Sequence, residues 1–281
     1  MKHLKEKAMR FVFSLAACVS VAAVVLICIF LFANGIPAIR KIGIFNFLLG
    51  TTWKPANNFY GNLPMIIGSL YVTAGALLTG VPVGVLTAVF MARFCPERIY
   101  RPMKAAVNLM AGIPSVVYGF FGLVVLVPLI REIFGGRGKS VLSASILLGL
   151  MILPTIISVS ETSIRAVGES YYEGGLALGA SHEKSVFYVV LPAAKSGIFT
   201  GIVLGLGRAV GETMAVMMVA GNQPVIPGNL LAGVRTLTTN IVLEMGYSTD
   251  LHREALIGSA VVLFVFILII NLSLSLLKRR M

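Results

Sequence analysis

The sequence has few charged residues and few of the side chains that build catalytic or metal sites. Charged residues make up 12% of its 281 residues, whereas an ordinary soluble domain carries about 25%. The three histidines are scattered, and the three cysteines form neither a CxxC motif nor a Cys/His cluster. No serine has an evident His/Asp partner. The residues therefore support no disulfide framework, no metal site and no catalytic centre in this chain.

Hydrophobic residues are correspondingly abundant, at 57%, which excludes a disordered chain. Six nearly uncharged stretches are each long enough, at 1.5 Å per residue, to cross a hydrocarbon core of about 30 Å. Because these runs are continuous rather than alternating, they favour helices over the strands of a membrane barrel. The sequence predicts an all-α membrane protein with spans at 11–33, 65–92, 105–130, 141–160, 196–220 and 255–277.

The basic residues predict the topology. The net charge of +12 would suggest nucleic-acid binding in a soluble protein, but here Lys and Arg flank spans and orient them. With the N-terminus inside, 14 of the 23 basic residues lie in the cytoplasm, 8 lie outside, and Arg208 lies in a span. We therefore expect cytoplasmic termini at 1–10 and 278–281, an external loop at 34–64, and a core at 65–277 with a cytoplasmic loop at 161–195.

A glycine-rich segment, Gly135 to Ser140, imitates the end of a phosphate-binding P-loop. That motif requires a glycine at the position that Ile133 occupies, and no strand precedes the segment. The predicted topology also places it outside the cell. We therefore expect no ATP site in this chain, so that any ATP used would be bound by a partner.

The cytoplasmic loop 161–195 has the signals of two short helices separated by a break. Gly179 can adopt the positive φ that ends a helix, and Ser181 can cap the next one. Pro192 then stops or bends the chain where it re-enters the membrane. Such a helix pair is suited to docking into a partner's groove, although an ordinary amphipathic loop would show the same signals.

The fifth predicted span contains a charged pair, Arg208 and Glu212. On a continuous helix these residues share a face with Gly197, Gly201 and Gly205, and glycines at this spacing mark close approach of another helix. Two interpretations compete. The pair is either an intrahelical salt bridge that orients packing or a site at which the Arg208 fork binds an oxyanion, with Glu212 holding the fork.

Prolines inside the predicted spans mark candidate gates. Pro82 and Pro114 remove helix hydrogen bonds, which lipid tolerates only where neighbouring groups satisfy the backbone. Ser115, directly after Pro114, is more typical of a helix cap than of a nucleophile. Simple packing kinks would explain each proline equally well.

Two segments resemble a known family. Glu173, Gly179, Leu191 and Pro192 lie at the spacings of the EAA loop of ABC-importer permeases, with glycines at 174–175 where that family usually has alanines. The segments 205–216 and 112–122 closely resemble phosphate-specific ABC importer permeases of the PstC type. With the first external loop, the resemblance covers most of residues 45–275.

The resemblance implies the type I (MetI-like) importer permease fold, with spans two to six as its core. It implies a subunit that is not an enzyme, lies in the inner membrane among lipids, and binds no cofactor or nucleic acid. It also implies a PstA-like second permease, a PstB-like ATPase dimer that binds ATP, and a PstS-like binding protein. Arg208 and Glu212 match positions on the family's phosphate path. The implied ATPase-coupling segment comprises Glu173, Gly179, Ala180, Ser181, Leu191 and Pro192.

Other functions stay open at this point. One arginine cannot distinguish phosphate from sulfate, molybdate or another tetrahedral oxyanion. A channel or secondary transporter that works without ATP would have no reason to carry the EAA spacing. A role in phosphate sensing is associated with importers of this kind, but no residue in the sequence indicates it.

Overall fold

The computed structural model describes residues 2–280, with side chains for residues 6, 7 and 9–276. The side chains of Lys2, Lys5, Lys278, Arg279 and Arg280, which support the predicted orientation of the termini, lie outside this described set.

Over residues 2–280 the chain forms thirteen α-helices and one short hairpin. The helices are α1 (Lys2–Ile42), α2 (Ile44–Leu49), α3 (Leu63–Val89), α4 (Glu97–Gly112), α5 (Ser115–Phe121), α6 (Val127–Phe134), α7 (Val141–Arg165), α8 (Glu169–Ala177), α9 (His182–Ser185), α10 (Leu191–Gly211), α11 (Met214–Val219), α12 (Leu237–Met245) and α13 (Asp250–Arg280). Strands β1 (Trp53–Lys54) and β2 (Phe59–Tyr60) pair antiparallel. The π-helical turns Gly122–Leu126 and Val186–Val190 join helices end to end, and a third, Phe90–Phe94, extends α3 up to the extended residues 95–96.

Six helical segments in the described chain are long and apolar enough to cross a membrane, which confirms the predicted number. They are Met9–Ile42, Leu63–Phe94, Ser115–Phe134, Val141–Arg165, His182–Gly211 and Asp250–Leu276. Several predicted span ends were wrong: some helices continue past the apolar run into charged residues, and the fifth predicted span, 196–220, is interrupted at 212–213. The fourth span, for example, continues past Ser160 through Glu161 to Arg165.

The predicted third span, 105–130, is not one helix. It is broken between α4 and α5, where Ile113 is extended (φ −71°, ψ 126°) and Pro114 is extended too. Steric contact with a proline ring disfavours helical geometry in the preceding residue, which explains the position of the break. The Tyr118 hydroxyl donates to the Met110 carbonyl oxygen at 2.9 Å, so that one hydrogen bond crosses from α5 to the last turn of α4.

Helix α7 is the centre of the bundle, with α3 and α10 packed on it. Its side chains at Leu147, Leu148, Met151, Ile152 and Ile156 are fully buried. Three glycines of α10, Gly197, Gly201 and Gly205, lie on the α7 side: a Cβ on Gly205 would lie 2.9 Å from Ile156 Cγ1. The predicted approach of a second helix along the glycine face is therefore confirmed, since glycine allows backbones to come this close.

The α7–α10 contact predicts opposite effects for two glycines on α10. A Cβ on Gly197 would overlap the Ser163 side chain, whereas a Cβ on Gly207 would meet no described atom within 4 Å. We expect Gly197→Ala to destabilise the protein by about 1–3 kcal/mol through overpacking. Gly207→Ala should be neutral or stabilising by up to about 1 kcal/mol, because alanine favours the helix.

The thermal midpoint of the purified protein in detergent, followed by aggregation, measures this difference. Adding Ser163→Gly to Gly197→Ala should restore the midpoint, because it removes the overlapping atoms. Equal midpoints for the two alanine variants would contradict the packing described here.

The end of the bundle opposite to loop 161–195 is closed by segments from both long loops. Glu244, nearly buried, accepts hydrogen bonds from Arg235 Nη1 at 2.6 Å, Trp53 Nε1 at 2.8 Å and His252 Nε2 at 2.9 Å. Burial raises the pKa of the nearby Tyr60 phenol, which therefore stays neutral. Segment 43–62 is thus packed against segment 221–252 through the side chains at 53, 60, 235, 244 and 252.

Candidate functional site

Arg208 lies in the last turn of α10. Its side chain is partly buried, and the neighbouring Ala209 and Val210 are buried. Among the residues whose side chains are described, no hydrogen bond or ion pair holds the guanidinium. An ionised arginine within a membrane span is energetically costly, which makes Arg208 a candidate functional residue.

The prediction that Arg208 and Glu212 share one helix face was wrong. Helix α10 ends at Gly211, and Glu212 is extended, with φ −71° and ψ 127°. Its Oε1 accepts a hydrogen bond from the backbone N–H of Ala215 at 3.0 Å, so that the carboxylate caps α11. A negative group is favoured at a helix N-terminus, and here that interaction takes the place of an intrahelical salt bridge.

The break at 212–213 lies close to the break at 113–114. Tyr118, which is 8% exposed, belongs to the same buried cluster as Ala209 and Ala215. Helices α5 and α11 come together at Gly119, where a Cβ would lie 2.9 Å from the Ala215 Cα. Two discontinuous helices therefore meet beside Arg208. Transporters use such breaks to present backbone groups and helix ends to a small ion inside the membrane.

Three glycines near this meeting point are not packed against other parts of the chain. A Cβ added at Gly112, Gly207 or Gly211 would meet no described atom within 4 Å. Ser115 begins α5 and is partly buried, while Pro114 before it is exposed. The arrangement offers a cation with five N–H donors in a planar fork, next to glycine backbone and open space. A planar fork of this kind has donor geometry that matches an oxyanion.

Pro82 does not break its helix. Helix α3 continues through it from Leu63 to Val89, and the proline ring is exposed. The close approach of α3 to α7 occurs instead at Gly80, where a Cβ would lie 2.9 Å from the Gly149 carbonyl oxygen. Of the three gate candidates, only Pro114 and Ser115 therefore lie at an interruption of the helix.

The loop after α7 has the predicted helix–break–helix structure. Helix α8 is followed by Gly179 with φ +84°, and Ser181 caps α9 by accepting from the Lys184 N–H at 3.4 Å. Ala180 donates its N–H to the Gly175 carbonyl oxygen at 3.1 Å, which closes the turn. The exposed residues of this turn include Leu178, whose side chain is 91% exposed. An apolar tip of this kind is suited to a partner's pocket.

The glycines at 174–175 have different surroundings. A Cβ on Gly175 would lie 2.7 Å from Ser185 Oγ, whereas one on Gly174 would meet nothing described within 4 Å. Gly175 therefore permits the close packing of α8 on the helix that follows. Leu191 and Pro192 begin α10 directly after the π-helical turn, and Glu173 is exposed on α8.

Several contacts at this end were not predicted. Arg93 at the end of the second span pairs with Glu169 of α8 at 3.0 Å, and Phe94 stacks edge-on against His182 of α9 at 4.7 Å. Glu161, buried at the end of α7, bonds to side chains of α4. The one signal in the sequence was an acidic residue directly after an apolar run, which by itself indicates only where a span ends.

Known proteins are similar to this chain in sequence and in fold. Residues 80–281 match the family described as "Binding-protein-dependent transport system inner membrane component". The chain is 39% identical to the probable ABC transporter permease protein YqgH of Bacillus subtilis, covering 96% of this chain and 91% of that protein. It is 34% identical to the phosphate transport system permease protein PstC of Mesorhizobium japonicum, covering 87% and 81%.

The solved structures that resemble it are ABC transporters. A chain of the MetNI methionine ABC transporter in an inward-facing conformation superposes with a TM-score of 0.62 at 20% identity, covering 82% of this chain and 99% of that one. A chain of the bacterial alginate ABC transporter gives 0.59 at 15% identity, covering 95% and 96%. These likenesses establish the fold.

Proposed function

The chain belongs to the family of binding-protein-dependent transport system inner membrane components, and we propose that it is a permease subunit of an ATP-driven importer of inorganic phosphate. Its fold is that of a type I ABC importer permease, and the family indicates a multi-pass inner membrane protein. The observation that supports phosphate as the substrate is the position of Arg208. This arginine has no counterion among the described residues and lies beside two helix breaks. Relatives 32–35% identical to this chain are named phosphate permeases.

In this proposal Arg208 binds the passing phosphate with parallel N–H···O bonds, which suit a tetrahedral oxyanion. Glu212 is held at the N-terminus of α11 and does not neutralise Arg208. The nearby carboxylate keeps phosphate from binding so tightly that it cannot leave. No bond of the substrate breaks, so this chain needs no nucleophile and no cofactor.

The proposal includes the partners that such a subunit requires. A second, PstA-like permease completes the pathway, and a PstS-like extracytoplasmic protein delivers phosphate. A PstB-like ATPase dimer binds ATP and contacts the exposed turn between α8 and α9. Both termini are then cytoplasmic. Nucleotide and phosphate shift the population between two packings of the bundle, which open to opposite sides.

Reconstitution tests the proposed function. The chain is purified from its native membrane with whatever accompanies it, placed in proteoliposomes with its binding protein, and supplied with ATP and radiolabelled phosphate. We expect an ATPase and a second permease to accompany it, and phosphate uptake to require ATP. Uptake that unlabelled sulfate or molybdate abolishes would change the substrate, and uptake without an ATPase would overturn the ABC mechanism.

A further inference from the structure

Glu161 is a carboxylate buried at the end of α7, where the polypeptide is about to leave the bundle. The residue is 1% exposed, and both of its oxygens are occupied. Oε1 accepts from the Tyr100 hydroxyl at 2.7 Å and from Arg165 Nε at 3.0 Å, while Oε2 accepts from Lys104 Nζ at 2.6 Å. The carboxylate therefore joins α7 to two side chains of α4.

The same cluster reaches the end of the second span. Arg165 Nη2 donates to the Met91 carbonyl oxygen at 2.8 Å, within the π-helical turn after α3. Its guanidinium also lies 4.4 Å from the centre of the Tyr100 ring. Three elements thus meet at Glu161: the start of α4, the end of α7 and the turn 90–94.

The turn between α8 and α9 is attached to two of these elements. Helix α8 follows α7 after only a few residues, and Glu169 pairs with Arg93 in the turn 90–94. His182 of α9 contacts Phe94 in that same turn. A displacement of α8 and α9 therefore acts directly on the elements that hold Glu161.

Helix α4 connects this cluster to the candidate site. Its sixteen residues extend about 24 Å at 1.5 Å per residue. Tyr100 lies near its start and Lys104 at its middle, and Met110, near its end, accepts the hydrogen bond from Tyr118. Tyr118 in turn belongs to the same buried cluster as Ala209, which follows Arg208 in α10. A continuous helix links the two positions, so a tilt at its start moves its end.

We propose that Glu161 is a positioning residue that fixes α4 to α7, so that movement of α8 and α9 reaches the breaks beside Arg208. This inference rests on the proposed function. A buried ionic cluster is weak evidence for stability, because desolvation offsets much of the attraction between its charges. Its geometry is better explained by the need to hold α4 in a defined place while the bundle changes its packing.

The test measures the number of phosphate ions imported per ATP hydrolysed, using the whole reconstituted transporter. We expect Glu161→Gln to assemble and hydrolyse ATP while this ratio falls at least fivefold. Lys104→Met should lower it similarly, and the double variant should be no worse than either single one, because the two residues act as a pair. Glu97→Gln, whose exposed side chain pairs with Arg101 on the same helix, should leave the ratio unchanged.

The outcomes separate this inference from the function on which it rests. If the unmodified transporter imports no phosphate, the proposed function fails. If it imports phosphate and Glu161→Gln keeps the normal ratio, the inference is overturned, as it is if uptake and ATP hydrolysis fall in parallel. If Glu161→Gln does not assemble, Tyr100→Phe decides: it leaves every charge in place, and we expect a two- to threefold lower ratio, whereas an unchanged ratio overturns the inference.

Discussion

Replacing Arg208 with glutamine is expected to lower ATP-driven phosphate uptake by about 10- to 100-fold while the transporter still assembles. A hydrogen bond to a charged group contributes about 1.5–3 kcal/mol, and about 1.4 kcal/mol corresponds to a factor of ten. The glutamine side chain has no positive charge and no fork to match the oxyanion. Assembly should survive, because no described residue uses Arg208 as a hydrogen-bond or ion-pair partner.

Two further variants show whether charge or geometry matters at this position. Arg208→Lys keeps the charge but replaces the fork with a point donor, so we expect uptake between that of glutamine and arginine. Arg137→Gln removes an arginine from the exposed turn between α6 and α7 and should change nothing. Initial rates of radiolabelled phosphate uptake in proteoliposomes measure all three. Normal uptake by Arg208→Gln would show that phosphate passes elsewhere.

The sequence predicted those parts of the fold that depend on local composition. Apolar length predicted six spans, and the glycines at 201 and 205 predicted a helix–helix contact without identifying α7. Gly179 and Ser181 predicted the turn between α8 and α9, because positive φ and helix capping are properties of single residues in a short segment. A turn or helix cap whose geometry depends on only a few neighbouring residues can therefore be predicted from those residues alone.

The candidate site was predicted only in part, because its geometry depends on contacts between distant segments. A continuous helix was assumed when Arg208 and Glu212 were placed on one face, and Gly211 by itself did not predict the end of α10, because the span contains several other glycines. Two contacts in the structure explain why α10 ends there. The Glu212 carboxylate accepts a hydrogen bond from the first turn of α11, and the Thr238 hydroxyl donates to the Glu212 carbonyl oxygen. Lys104 and Glu161 are likewise 57 residues apart, and no pattern in the sequence pairs them.

The second large effect is expected at the turn between α8 and α9, where the proposed function places the contact with the ATPase. Leu178 is the most exposed large apolar side chain in the turn between α8 and α9. If this turn enters a groove of the ATPase, the leucine loses its contact with water there. Burying such a side chain is worth about 1.5–3 kcal/mol, and an aspartate in its place would place a charge in the groove.

We therefore expect Leu178→Asp to reduce the amount of ATPase that co-purifies with the chain by at least about tenfold, and uptake with it. The change leaves the permease fold intact, because the side chain contacts little within its own chain and Gly179 still makes the turn. Leu230→Asp is the matched control, since that leucine is also exposed but lies in segment 221–252 at the other end of the bundle. It should leave ATPase recovery unchanged. If both variants lost the ATPase equally, the loss would reflect folding or insertion; if neither did, the ATPase would bind a surface other than this turn.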